Sequence, residues 1–68
     1  MKTPEQRVKA KWPDACLYGL SHGKVAVFSA LAGYYLSDIK YKGTREQRQA
    51  EAWADAAKRL EDSNGGHS

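Results

Sequence analysis

Residues 15–36 read ACLYGLSHGKVAVFSALAGYYL, and the fold turns on how this stretch is taken. Segments 15–20 and 24–30 are rich in β-formers and flank Ser21-His22-Gly23, which has the composition of a hairpin turn. Ala32-Gly33 offers a second reversal before Tyr34-Tyr35-Leu36, so the stretch reads as a meander of three antiparallel strands. In the middle strand Val25 and Val27 share one face, while Ala26, Phe28 and Ala30 share the other. Neither face is polar, and one helix can cover only one of them. The same residues leave a helix open as the alternative, because Val25, Phe28, Ala32 and Tyr35 also fit a 3.6-residue period. Residues 38–43 read as a loop, or as an extension of the third strand or a fourth. The Lys40-Tyr41-Lys42 alternation suits an edge blunted by charge.

Working outward, the stretch is bracketed by two helix starts with nearly the same wording, Thr3-Pro4-Glu5-Gln6-Arg7 and Thr44-Arg45-Glu46-Gln47-Arg48. Each fits a capping box: the Thr oxygen accepts an orphan backbone N–H, and the Gln three residues on reaches back to the cap. Pro4 stands where a missing donor costs nothing. The first helix is short, because Pro13 disfavours helical geometry at Trp12; Val8 and Trp12 share one of its faces. In the second, Ala50, Trp53, Ala54, Ala57 and Leu60 recur at helical spacing and predict the core face. Glu51, Asp55, Lys58, Arg59 and Asp62 populate the opposite side. Glu46 near its start and Lys58 and Arg59 near its end complement the helix dipole, Asp55 can pair with Arg59, and Asn64-Gly65-Gly66 supplies a stop.

The expected fold is α+β in one domain. A short N-terminal helix (3–12) leads into an antiparallel sheet of three strands, or four if 38–43 joins it, over 15–42. An amphipathic C-terminal helix (44–62) packs on one sheet face, and a frayed tail (63–68) follows. A chain of 68 residues has room for one small core. Its single cysteine, Cys16, precludes an intramolecular disulfide and fits a reducing compartment. No apolar run has bilayer-spanning length, and residues 1–13 lack the apolar segment of a signal peptide, so the sequence reads as a cytoplasmic protein with no membrane partner. The net charge of +3 is uneven: residues 1–48 carry +5 and residues 49–68 carry −2.

Nothing in the sequence has the pattern of a catalytic site. Cys16 and His22 form the one thiol–imidazole combination in the strand region, yet no third group is evident to orient the base, and Cys16 among apolar residues reads as a buried, inert thiol. Cys16, His22 and His67 lack zinc-ligand spacing. Gly19, Gly23, Gly33 and Gly43 are spaced as turn residues rather than as a phosphate cradle. The reading is a non-enzyme without metal or cofactor. The candidate binding residues are Tyr34, Tyr35, Lys40, Tyr41, Lys42, Arg45 and Arg48, where rings interleave with cations. That composition suits stacking on bases and holding phosphates, and equally suits a protein interface rich in Tyr and Arg. The competing reading is structural, with Tyr35 and Tyr41 packed hydroxyl-outward and the lysines solvated. Trp12 and Trp53 read as core, Trp53 under the sheet and Trp12 closing one end.

The order of three strands and a helix ending in Ala52-Trp53-Ala54-Asp55-Ala56-Ala57-Lys58-Arg59-Leu60 looks like the plant ethylene-response DNA-binding domain and the arm-binding domains of phage integrases. The strand arginines and tryptophans expected there are absent. With the front helix added, the order is similar to the double-stranded RNA-binding domain, whose last helix begins Lys-rich where this chain has Arg45, Glu46, Gln47 and Arg48. A broader resemblance runs from Glu5-Gln6-Arg7-Val8-Lys9-Ala10 through Trp12-Pro13-Asp14-Ala15 to the terminal Ala-Trp-Ala-Asp-Ala-Ala helix. In these the chain resembles small proteins of bacteriophages and prophages, among them the anti-CRISPR class. That resemblance implies a host-cytoplasmic inhibitor, monomeric or homodimeric, that binds a host protein or ribonucleoprotein complex stoichiometrically. It carries over no catalytic residue. Nucleic acid is the alternative partner.

Overall fold

The two Thr-x-x-Gln boxes start the two helices as the sequence predicts. The computed structural model describes residues 2–65. Helix α1 spans Pro4–Lys11: the Gln6 N–H donates to Thr3 Oγ1 (3.2 Å) and the Thr3 N–H to Gln6 Oε1 (3.0 Å). It ends at Trp12, the residue Pro13 bars from helical geometry, whose φ of −122° and ψ of 89° are already non-helical. Helix α2 spans Arg45–Gly65 and repeats the device, with the Gln47 N–H on Thr44 Oγ1 (3.2 Å) and the Thr44 N–H on Gln47 Oε1 (2.9 Å). It runs past the 62 expected as its end, because Ser63 and Asn64 are weak helix formers but nothing in them bars helical geometry. The fraying expected for His67 and Ser68, and the Gly66 end of the stop signal, lie outside the described residues.

Between the helices lie β1 (Cys16–Gly19), β2 (Val25–Ser29) and β3 (Tyr34–Tyr35), an antiparallel sheet in the order β1-β2-β3. The meander is therefore the outcome, and the helix considered over 25–36 is not. A tight turn at Ser21–Gly23 joins β1 to β2, closed by the Leu20 N–H on the Lys24 carbonyl (2.7 Å). Gly33, at φ +82°, makes the second reversal. Residues 38–43 are neither a plain loop nor a fourth strand. Lys40 returns to the sheet in a single bridge with Val25, exchanging both backbone hydrogen bonds at 2.8 and 3.0 Å. The β2–β3 register matches Phe28 with Tyr35, so two extra residues bulge out before Lys40. In the bulge, buried Ser37 takes over a ladder position: its Oγ accepts the Val27 N–H (3.0 Å) and donates to the Asp38 carbonyl (3.1 Å).

The core lies between the helices and one face of the sheet. Val25 and Val27 from β2, Leu36, Val8 from α1 and Ala15 pack against Ala52, Trp53, Ala56 and Ala57 of α2, with Leu17 and Trp12 at its margin. Trp53 and Ala57 are buried as expected, but the buried arc of α2 is rotated toward Ala52 and Ala56, and Ala50 and Ala54 are exposed. The physical reason is that α2 has two neighbours, α1 and β2, so its buried arc is set by the cleft between them. Charge pairs fix the helices from outside. Arg7 bonds Glu61 between α1 and α2, and Arg59 reaches both Asp55 (3.3 Å) on its own helix and Asp38 in the bulge.

Candidate binding face

Because side chains alternate along a strand, the register that sends Val25, Val27 and Leu17 to the core sends Cys16, Tyr18, Ala26, Phe28 and Tyr35 to the opposite face. Among the described residues no helix packs on that face; Ala26 within it is fully buried, while the rings of Tyr18 and Tyr35 are partly exposed. Tyr18 of β1, Phe28 of β2 and Tyr35 of β3 form a row across all three strands. Neighbouring ring centroids are 5.0 and 5.2 Å apart and the planes tilted by 53° and 63°, the geometry in which aromatic quadrupoles attract. Tyr18 and Tyr35 are each 44% exposed and Phe28 is half-buried between them. Cys16 is opposite Phe28 and exposed, which corrects the expectation of a buried thiol: the register turns it away from the core. Ile39 and Tyr41, also exposed, flank bridged Lys40.

The seven residues singled out from sequence do not form one patch. Tyr34 and Tyr35 are consecutive in a strand and so point to opposite faces. The Tyr35 ring joins the aromatic row, and Tyr34 and Tyr35 both border a groove of about 370 Å³ with Trp12, Leu36, Arg59 and Leu60. Lys40, opposite Val25, is on the helix-facing side and half-buried. Lys42 holds its ammonium 5.8 Å from the Tyr41 ring centre. Arg45 and Arg48 line a shallow depression at the far end of the sheet with Gly19, Gly23 and Lys24, and Arg48 donates to the Gly43 carbonyl (2.9 Å). The residues that interleave in sequence are thus divided in space: Tyr35 belongs to the aromatic row, Tyr34 borders the groove, Lys42 stays with Tyr41, and Arg45 and Arg48 lie at the Gly19–Lys24 end of the sheet.

Sequence reading missed Tyr18 and Phe28, the two other members of the row. The signal was present in the alternation Cys16-Leu17-Tyr18 against Ala26-Val27-Phe28, but it needed the register to show that both rings face away from the helix. It also passed over Asp14, whose carboxylate takes the Ser29 hydroxyl (2.5 Å) and the Leu31 N–H (3.0 Å). The Ser29 hydroxyl foremost holds its pKa below the ordinary aspartate value; desolvation opposes it, and the Leu31 and Ala30 amides add smaller lowering contributions. Asp14 pins the β2–β3 turn to the segment before β1, a structural task. Among the described residues no three His, Cys, Asp or Glu side chains gather where they could hold a metal, and no helix is long and apolar enough to cross a membrane. No family model, curated protein or solved structure matches the chain.

Proposed function

We propose that this chain acts by binding and not by catalysis, docking the open face of its sheet on another protein. The observation that carries the reading is the uncharged, partly exposed aromatic row Tyr18–Phe28–Tyr35 on a face that, among the described residues, no helix covers. Tyr anchors bury large, rigid area at small entropic cost and keep a polar tip. A platform for nucleic acid needs cations within reach of the phosphates that accompany each stacked base; here the strands themselves contain none. In the setting implied by the sequence resemblance, the partner is a component of a bacterial defence or regulatory complex in the host cytoplasm, bound one to one and inhibited, as by anti-CRISPR proteins. The second reading, a nucleic-acid-binding accessory protein, has the Lys24, Arg45 and Arg48 end in its favour.

The test is recovery from a bacterial host lysate in two parallel arms, one at low salt without nuclease and one with nuclease and high-salt washing, followed by titration calorimetry with the purified component recovered. One stoichiometric protein, lost with Tyr35→Ala and kept with Arg45→Ala, supports the proposal. Recovery of nucleic acid alone, with log affinity falling linearly against log salt and lost with Arg45→Ala, refutes it.

A further inference from the structure

Strand β1 is an edge, and its backbone register shows which of its groups are free. The Leu20 N–H bonds the Lys24 carbonyl, so Leu20 and, by alternation, Tyr18 and Cys16 turn their backbone groups toward β2. Leu17 and Gly19 therefore present theirs outward, and among the described residues nothing pairs with them. Natural sheets blunt such an edge with charge, proline or a bulge. The β3 edge has such devices in its bulge, Asp38, Lys40 and Lys42. β1 has none of them, with no charged side chain from Ala15 to Gly23.

We infer that the β1 edge is a self-association site: two copies pair β1 against β1 about a two-fold axis through Tyr18, giving a continuous six-stranded sheet. In that register Leu17 and Gly19 of one copy face Gly19 and Leu17 of the other and exchange four backbone hydrogen bonds. The fit is self-complementary. Gly19 has open space where a side chain would stand, and the facing Leu17 covers it. The paired strand carries no charged side chain, so no like charges are set opposite one another within the ladder. The two Tyr18 rings become neighbours in a non-hydrogen-bonded pair, where Cα atoms stand about 4.5 Å apart. Both aromatic rows then lie on the same side and join into one row of six rings. Tyr18 borders both the edge and the face, but this proposal rests on the outward backbone groups of β1 and is read from the association state rather than from partner binding, so either proposal can fail alone.

The register makes a sharp test. Non-hydrogen-bonded pairs lie within the span of about 4.4–6.8 Å between Cα atoms that a disulfide bridges. On a Cys16→Ser background, Tyr18→Cys is expected to give a covalent dimer under diamide, which takes up the two thiol hydrogens. Leu20→Cys in the presence of native Cys16 is expected to do the same, since Cys16 faces Leu20 of the second copy. The unmodified chain, whose two Cys16 residues lie apart, stays uncrosslinked. Sedimentation equilibrium over roughly 10 µM to 1 mM, where small interfaces dissociate, is expected to show a monomer–dimer equilibrium. Tyr18→Lys sets like charges side by side and weakens it about tenfold or more. Gly19→Pro removes an outward N–H without touching the β1–β2 ladder and abolishes the dimer with the circular dichroism unchanged. A chain that stays monomeric at 1 mM overturns the inference, and so does crosslinking through Cys16 alone that equals that of Tyr18→Cys.

Discussion

Replacing Ser37 with Ala tests the role of the bulge. Val27 is fully buried in the central strand, and its N–H has the Ser37 hydroxyl oxygen, 3.0 Å away, as acceptor. Removing that oxygen strands a donor in the interior and costs about 1–3 kcal/mol, the desolvation of an unpaired amide rather than the smaller net worth of a hydrogen bond. At about 0.05–0.15 kcal/mol per residue the whole domain is stable by roughly 3–10 kcal/mol, so the loss is a large share. Urea unfolding with a slope of roughly 1 kcal/mol/M should place the midpoint about 1–3 M lower with the slope unchanged. Ser21→Ala, in the exposed β1–β2 turn, is the control and should shift it by less than about 0.5 M. A Ser37→Ala midpoint within that same margin would refute the reasoning, since it would mean that the Val27 amide is satisfied without Ser37.

Acidification should reveal Asp14. Its pKa is depressed in the folded chain by the Ser29 hydroxyl and the amides of the turn, so its contribution is present above the unfolded-state value near about 3.9 and is lost as pH falls through the depressed folded value. Thermal melts from pH 6 down to pH 2 should show the native chain losing more stability than Asp14→Asn across that window; parallel curves would remove Asp14 from the account. Gly43→Ala should destabilise by about 1–2 kcal/mol, because φ is +85° and a Cβ would stand 2.5 Å from the Gln47 Oε1 that caps α2; a neutral effect on the melting temperature would contradict this. Trp53→Ala, which removes the largest side chain of the core, costs about 3–5 kcal/mol and should leave much of the chain unfolded by near-ultraviolet circular dichroism.

Local chemistry made the helices and the meander legible. Thr3, Gln6, Thr44 and Gln47 act through neighbours three residues away, and Pro13 acts on the residue before it, so their signals need no tertiary knowledge. What depends on pairing was not legible. Cys16 reads as buried by its type, yet its exposure follows from a register that places it opposite Phe28. Ala50 and Ala54 fit the helical period as well as Ala52 and Ala56 do, and only the position of α1 decides between them. The candidate site failed in the same way. Tyr34 and Tyr35 are adjacent in sequence and on opposite faces in space, while Tyr18, Phe28 and Tyr35 are scattered in sequence and adjacent in space.

The distribution of aromatic residues is the strongest reason to look for a partner. The chain has four Tyr and one Phe. All four Tyr are exposed and Phe28 is only half-buried, while the core is built from Val, Ala, Leu and Trp53. Tyr18 and Tyr35 are each 44% exposed, so covering one of them removes about 65–110 Å² of the roughly 150–250 Å² such a ring can bury, which at about 25 cal/mol per Å² corresponds to roughly 1.5–3 kcal/mol before entropic costs. For a domain stable by roughly 3–10 kcal/mol, leaving the exposed parts of Tyr18 and Tyr35 uncovered forgoes about 3–6 kcal/mol in all, a sizeable share of the margin that keeps it folded. The exposed part of each ring is the free energy still available to whatever covers the sheet. Covering the face with a protein therefore accounts for both the placement of the rings and the modesty of the core. It also makes a distinguishing demand: Tyr35→Ala should cost the complex far more than it costs the fold, and the reverse ranking would return Tyr35 to a structural role.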